Sequence, residues 1–256
     1  MQTRRKGKGL ASPIRRQALL VGGRVMLAVA GTALLAAALI VARLLAAGAE
    51  QPPTGTNPLS GEEDVAAVSD SALLAAALPP DAPRVGIVAG HSGYDPGATC
   101  PDGLTEADVN LAVAQEVQGL LTRKGYRVDL LQEFDERLAG YRAEALISIH
   151  ADSCEVPGAT GFKVARVTDS AIPQAEDSLV NCLYQAYEAT TGLPRHDSSV
   201  TDNMTNYHAF REIDKSTPGA IIEVGFLLDD RDLLTQRPKL VARGVAAGAL
   251  CFLEGK

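Results

Sequence analysis

ALISIHADSC, residues 145–154, changes character halfway. Ala145, Leu146, Ile147, Ser148 and Ile149 are almost wholly apolar and β-prone, the pattern of a central strand buried on both faces. His150 then interrupts the run, followed by Ala151, Asp152 and Ser153. In open α/β sheets functional groups collect beyond the carboxyl ends of the strands, so His150 is a candidate ligand or acid/base. Taken alone, it reads more readily as a hydrogen-bonded structural histidine. Its meaning depends on what else the chain delivers to the same end of the sheet.

Upstream, Val85 to Gly90 (VGIVAG) reads as a first buried strand that hands over to His91 in a Gly/Pro/Asp-rich loop. Thr105 has the position of a helix N-cap, with Glu106 in the first turn and Asp108 three residues after the cap. Val109, Val113, Val117 and Leu121 carry that helix to a stop at Gly125. Glu106 has a bland explanation, because a carboxylate near a helix N-terminus is stabilised by the macrodipole. Arg127 to Leu131 is predicted as a strand and Asp135 to Glu144 as a short helix. Gly161 to Val167 alternates like a strand, and Pro173 to Thr191 has helical amphipathicity. Residues 192–217 read as irregular, Gly219 to Phe226 (GAIIEVGF) as an apolar strand carrying Glu223, and Pro238 to Leu253 as a closing helix. The alternation predicts an α/β fold over residues 84–256: a single-domain three-layer sandwich, phosphorylase/hydrolase-like, with a mixed, mostly parallel sheet and helices on both faces.

Four side chains stand out: His91, Glu106, His150 and Glu223. Two histidines and a carboxylate with a fourth position open form the ligand set of a catalytic zinc. No local spacing motif such as HExxH supports it, since the four are scattered over the domain. Glu223 is the most telling, because a carboxylate among Ile221, Ile222, Val224 and Phe226 needs compensation, from a salt bridge or from a metal.

Gly90-His91-Ser92-Gly93 with Asp95-Pro96-Gly97-Ala98, then Glu106 and Asn110-Leu111, then Ser148-Ile149-His150-Ala151, then Glu223-Val224-Gly225-Phe226 resemble the zinc-dependent N-acetylmuramoyl-L-alanine amidases of bacterial cell walls. The blocks follow the family's order over nearly all of Val85 to Phe252. The resemblance implies that His91, Glu106 and His150 bind Zn²⁺ and that Glu223 is the catalytic base. It also implies the reaction: a zinc-activated water cuts the amide between N-acetylmuramic acid and L-alanine in peptidoglycan. The sequence departs from the family pattern at Val88-Ala89, where Asp-Pro is usual, and at Gln132, where Arg is common. Asp152 and Asp229-Asp230 stand where Asn is usual. Two other readings stay open: a zinc peptidase acting on another cell-wall peptide bond, and a catalytically silent peptidoglycan-binding or regulatory domain.

Composition divides the chain. Residues 1–80 carry eight Lys/Arg and five Asp/Glu, leaving 16 and 26 for residues 81–256, a net charge of −10. That argues against nucleic acid as a partner, because phosphate binding needs a basic face. Residues 1–24 are basic, and Val25 to Ala42 form an uncharged run of 18 residues. Such a run spans a hydrocarbon core of roughly 30 Å as a helix. Residues 25–48 are therefore expected to be a transmembrane anchor, or a signal sequence cleaved near Ala49. The charge bias places residues 1–24 in the cytoplasm and the catalytic domain outside a single-pass cell-membrane anchor. Residues 50–83, rich in Pro, Gly, Ser and acidic residues, read as a flexible linker, with a short helix allowed over Ser69 to Leu78.

Cys100 and Cys154 flank proposed ligands in loops at one end of the sheet. In an exported domain a disulfide between them is expected, with free thiols or additional zinc ligands as alternatives. Cys182 and Cys251 lie on apolar helix faces and are expected as buried small hydrophobes. His196 is expected at the surface, and His208, in TNYHAF, either in the cleft or on its loop.

Overall fold

The computed structural model describes residues 77–255. The basic segment 1–24, the apolar segment 25–48 and nearly all of the 50–83 linker, including most of the Ser69–Leu78 stretch, lie outside the described residues. No helix among those described is long and apolar enough to cross a membrane.

The apolar runs form strands where the sequence predicts them. In chain order these are β1 (Arg84–Ala89), α1 (Glu106–Arg123), β2 (Arg127–Leu131), β3 (Ala145–Asp152), β4 (Lys163–Ala165), α2 (Pro173–Thr191), α3 (Asp202–Thr205), α4 (Ala209–Glu212), β5 (Gly219–Phe226), α5 (Arg231–Gln236) and α6 (Pro238–Glu254). The sheet order is β2-β1-β3-β5-β4. Every pairing is parallel except β4 on β5, which makes β4 an antiparallel edge. The mixed, mostly parallel sheet is thus as expected.

Three elements differ in extent. Asp135–Glu144 yields only a 3-10 turn at Glu136–Leu138, with Asp135 capping it, because Gly140 takes a positive φ and ends any helix there. The predicted Gly161–Val167 strand shrinks to three residues, since only Lys163, Val164 and Ala165 find partners on β5. The irregular 192–217 stretch contains α3 and α4, each a single turn.

Helices cover both faces, but unequally. Val85, Ile87 and Ala89 of β1, Ile147 and Ile149 of β3 and Ile222 of β5 meet the three long helices α1, α2 and α6 in the larger core. The alternate residues Val88, Leu146 and Ile221 join a smaller core whose cover, including Leu138, Tyr141, Met204, Tyr207, Ala209 and Ile213, comes from loops and short helices. Helix α6 lies close against α2, and Gly248 permits this, because a Cβ there would sit 2.7 Å from the Leu183 Cα.

Both cysteine pairs are bonded. Cys100–Cys154 forms as expected. Cys182–Cys251 corrects the reading of these two as buried hydrophobes: they join α2 to α6 in a second disulfide. Cys251 is exposed and Cys182 only half-buried, so their helix positions serve the crosslink more than the core. Closing loops of 54 and 69 residues removes unfolded-state entropy worth about 4 kcal/mol each in the chain-entropy account.

Candidate metal centre

Two strand ends and one helix start converge at the carboxyl edge of the sheet. Beyond β1 the Gly90 N–H donates to the Ile149 carbonyl at 2.9 Å, adding a rung to the β1–β3 ladder. Only glycine fits here, since a Cβ on residue 90 would lie 2.4 Å from the His150 ring. His91 follows with φ 63°, the one non-glycine among the described residues at positive φ. Such backbone costs on the order of 1–3 kcal/mol and persists only where its surroundings enforce it. Two carboxylates do so. The His91 N–H donates to Glu133 Oε2 at 2.7 Å, and its Nδ1 pairs with Asp95 Oδ1 at 2.5 Å. That orientation aims Nε2 at Glu106 Oε1, 3.3 Å away.

Glu106 is presented by the first turn of α1, which Thr105 caps by accepting from the Asp108 N–H at 3.2 Å. Its Oε2 accepts from the Ala98 N–H at 3.1 Å. Oε1 lies 3.0 Å from His150 Nδ1 and accepts from Asn110 Nδ2 at 3.3 Å. One ligand atom each from His91, Glu106 and His150 falls within 4.8 Å of the others, with the two imidazoles edge to face at 5.1 Å.

Sheet register delivers the fourth residue. On β5, Glu223 stands directly beside His150 of β3 and on its other side faces Lys163 of β4. Directly paired residues share a face, so His150, Glu223 and Lys163 form one row across the sheet. Lys163 is itself engaged, donating to Asp152 Oδ2 at 2.5 Å and to the Ser199 carbonyl at 2.8 Å. Glu223 keeps a buried Oε2 without a hydrogen-bond partner, and His150 Nε2 likewise makes no hydrogen bond.

The electrostatics describe a place built for positive charge. Glu106 holds the His91 imidazole up at about 9, against the effect of burial. Burial alone would raise the Glu106 carboxyl, yet the His150 and His91 contacts hold it well below the usual carboxylate range. Burial likewise opposes charge on His150, and Glu106 and Glu223 reverse that to raise it. Burial pushes Glu223 up to about 7, with the Glu106 charge adding to it. Two nitrogen donors and one carboxylate, with unpaired polar atoms left beside them, fit a zinc ion with an open position.

The four residues singled out in the sequence line one cavity of about 500 Å³. His208 lines it too, whereas His196 bonds Ser199 at 2.7 Å and packs on Phe226 outside it. Sequence reading misses Glu133. This carboxylate is 6% exposed, receives the His91 N–H, lies 3.1 Å from His208 Nε2 and 3.6 Å from His150 Nε2. Applying the strand-end rule to β2 would have nominated it, since it stands two residues beyond Leu131. The departures from the family pattern take local roles: Val88 joins the smaller core, Gln132 packs over Gly93, and Asp230 accepts from the Gly161 and Phe226 N–H groups.

A family model described as N-acetylmuramoyl-L-alanine amidase matches residues 85–249, more than half of the chain. The N-acetylmuramoyl-L-alanine amidase AmiC of Neisseria meningitidis serogroup B is 29% identical over 151 residues, which are 54% of this chain and 36% of that protein. The chain thus spans little more than a third of that curated relative. Among solved structures, an N-acetylmuramoyl-L-alanine amidase from Clostridium difficile 630 superposes with a TM-score of 0.58 at 23% identity, covering 68% of this chain and 98% of that one. The amidase AmiC2 of Nostoc punctiforme gives 0.55 at 24% identity over 67% and 97%. At these identities the two structures speak for the fold.

Proposed function

The chain belongs to the N-acetylmuramoyl-L-alanine amidase family, and from that premise we propose that it hydrolyses the amide joining the lactyl group of N-acetylmuramic acid to L-alanine in peptidoglycan. One observation carries this reading: His91, Glu106 and His150 converge to within 4.8 Å while register sets Glu223 beside His150. His91, Glu106 and His150 would hold Zn²⁺. When bound, the ion supplies an acidified water and a polarised scissile carbonyl.

The chain's own residues do the rest. Asp95 fixes His91 with Nε2 inward, and Glu133 holds its strained backbone. Glu223, buried and without a competing hydrogen bond on Oε2, takes the proton of the attacking water and returns it to the departing amine. Burial raises this carboxyl above its ordinary range, toward the working pH at which proton exchange is most effective. A bound dication draws it back toward the ionised base. Lys163 neutralises Asp152 beside this row, which limits the negative charge that Glu223 faces.

The same reading places the domain outside the cytoplasm on the apolar Val25–Ala42 run, and the two disulfides fit an oxidising compartment. The test is cleavage of muropeptides by the full chain, followed by mass spectrometry with and without chelator. Release of stem peptide beginning with L-alanine, abolished by chelator and restored by zinc, is the expected result. Cuts elsewhere in the peptide indicate a zinc peptidase, and bound zinc without cleavage indicates a silent domain.

A further inference from the structure

Beside the metal site the molecule exposes aromatic surface that the proposed chemistry does not use. Five large apolar side chains are exposed among the described residues, and two of them touch: Tyr94, 67% exposed, and Phe134, 53% exposed. Their rings meet edge to face at 4.6 Å. Phe134 also stacks on His208, with centroids 4.2 Å apart and planes 25° from parallel. His208 in turn lines the cavity that holds His91, Glu106, His150 and Glu223. A continuous path of rings therefore runs from the cavity wall to the surface.

This chain uses aromatic residues sparingly, with six Tyr, five Phe and no Trp. Leaving two of them in water forgoes roughly 1.5–3 kcal/mol of burial for such a side chain. Glu133 turns its carboxylate inward to the His91 N–H, and Phe134, next to it in the turn after β2, is left exposed. Nothing in the core requires an aromatic ring at either 94 or 134. Exposed apolar side chains that touch each other and adjoin a cavity point to a contact surface.

We propose that Tyr94 and Phe134 form a sugar-binding platform, on which a pyranose ring of the glycan strand stacks while its lactyl-linked amide reaches the cavity. This rests on the amidase reading, which puts a pyranose on the carbonyl side of the scissile bond. The fit is chemical. One face of a pyranose presents C–H groups, which complement the negative face of an aromatic ring. Two carboxylates lie near the platform, each paired with an imidazole: Asp95 with His91 beside Tyr94, and Glu212 with His208 under Phe134. Sugar hydroxyls can donate to the remaining lone pairs of such carboxylates. The platform therefore suits the sugar side of the scissile amide.

The test measures binding of peptide-free glycan strands, and separately of free stem peptide, to the full chain and to its Tyr94→Ala, Phe134→Ala and double variants. Each single change is expected to raise the Kd for glycan roughly three- to tenfold, the scale of one aromatic contact. The double change raises it further, Phe134→Tyr restores it, and stem-peptide affinity does not fall. Three results overturn the platform: glycan that fails to bind the parent chain, glycan affinity unchanged in the double variant, or a loss confined to stem peptide. A parent dimer that dissociates in the double variant also overturns it, by assigning the patch to a second copy. The muropeptide assay reports separately on the amidase reading. Cleavage by the parent with unchanged glycan binding in the variants removes the platform alone, and glycan binding lost in the variants of a parent that cleaves nothing removes the amidase alone.

Discussion

Alternate residues of the same strands build two unlike faces of the sheet. The face under α1, α2 and α6 is apolar at every strand position that meets the larger core, with Ile87, Ile147, Ile149 and Ile222 fully buried. The face under the short helices carries Ser148, His150 and Glu223 in the same strands, and its apolar cluster is small. Burial on the first face supplies the stability that the second gives up by keeping a strained His91 and unpaired polar atoms on His150 and Glu223. The comparison teaches that the site occupies the thinly covered face because a substrate needs access there, while the long helices hold the strands rigid from behind.

Four substitutions sharpen or break this division. The largest effect is expected from Glu223→Gln, which should lower kcat on muropeptides by about 10²–10⁴-fold, the usual worth of a positioned acid/base. Thermal stability should hold or rise, because a desolvated carboxyl has been removed. A folded variant with full activity would sink the assigned base. Ile147→Ala, on the opposite face of the sheet in the neighbouring strand β3, should do the reverse. It should cost about 2–5 kcal/mol in denaturant unfolding while leaving the zinc stoichiometry of the folded protein unchanged.

Glu133→Gln tests the contact between the β2 end and His91. Zinc affinity, measured by competition with a chelator, should fall by about 10–100-fold, as for other groups that orient ligands. An unchanged affinity would mean that Asp95 alone holds His91. The smallest effect belongs to Asp135→Asn. Asp135 accepts from the Arg137 N–H and guanidinium, and its carboxyl is held down at about 2 against an ordinary 3.8, mainly by Arg137. A carboxyl whose folded pKa is depressed contributes stability above the unfolded pKa and loses it as pH falls through the folded one. The variant should therefore be about 1 kcal/mol less stable near neutrality, the scale of a lost cap. The difference should close between about pH 4 and 2, read from urea midpoints across that range.

The strands and long helices were legible because hydrophobic period and capping residues are local signals. Thr105 and Asp108, the VGIVAG and ALISI runs and GAIIEVGF each announce themselves within a few residues. Glu133 did not, because its meaning lies in partners at His91 and His208, 42 and 75 residues away, and its neighbours form an ordinary polar loop. The Cys182–Cys251 bond was hidden for the same reason. Both cysteines sit on helices, and only the packing of α6 against α2 brings their Cα atoms to 5.6 Å.

The sequence by itself determined the α/β alternation, the strand ends that carry His91, His150 and Glu223, and the helix start that carries Glu106. Tertiary structure alone decided that these meet. Register sets Glu223 beside His150, and a left-handed His91 turns its ring inward under two carboxylates. Local propensity acts over a few residues, whereas register and side-chain convergence follow from which distant surfaces bury one another.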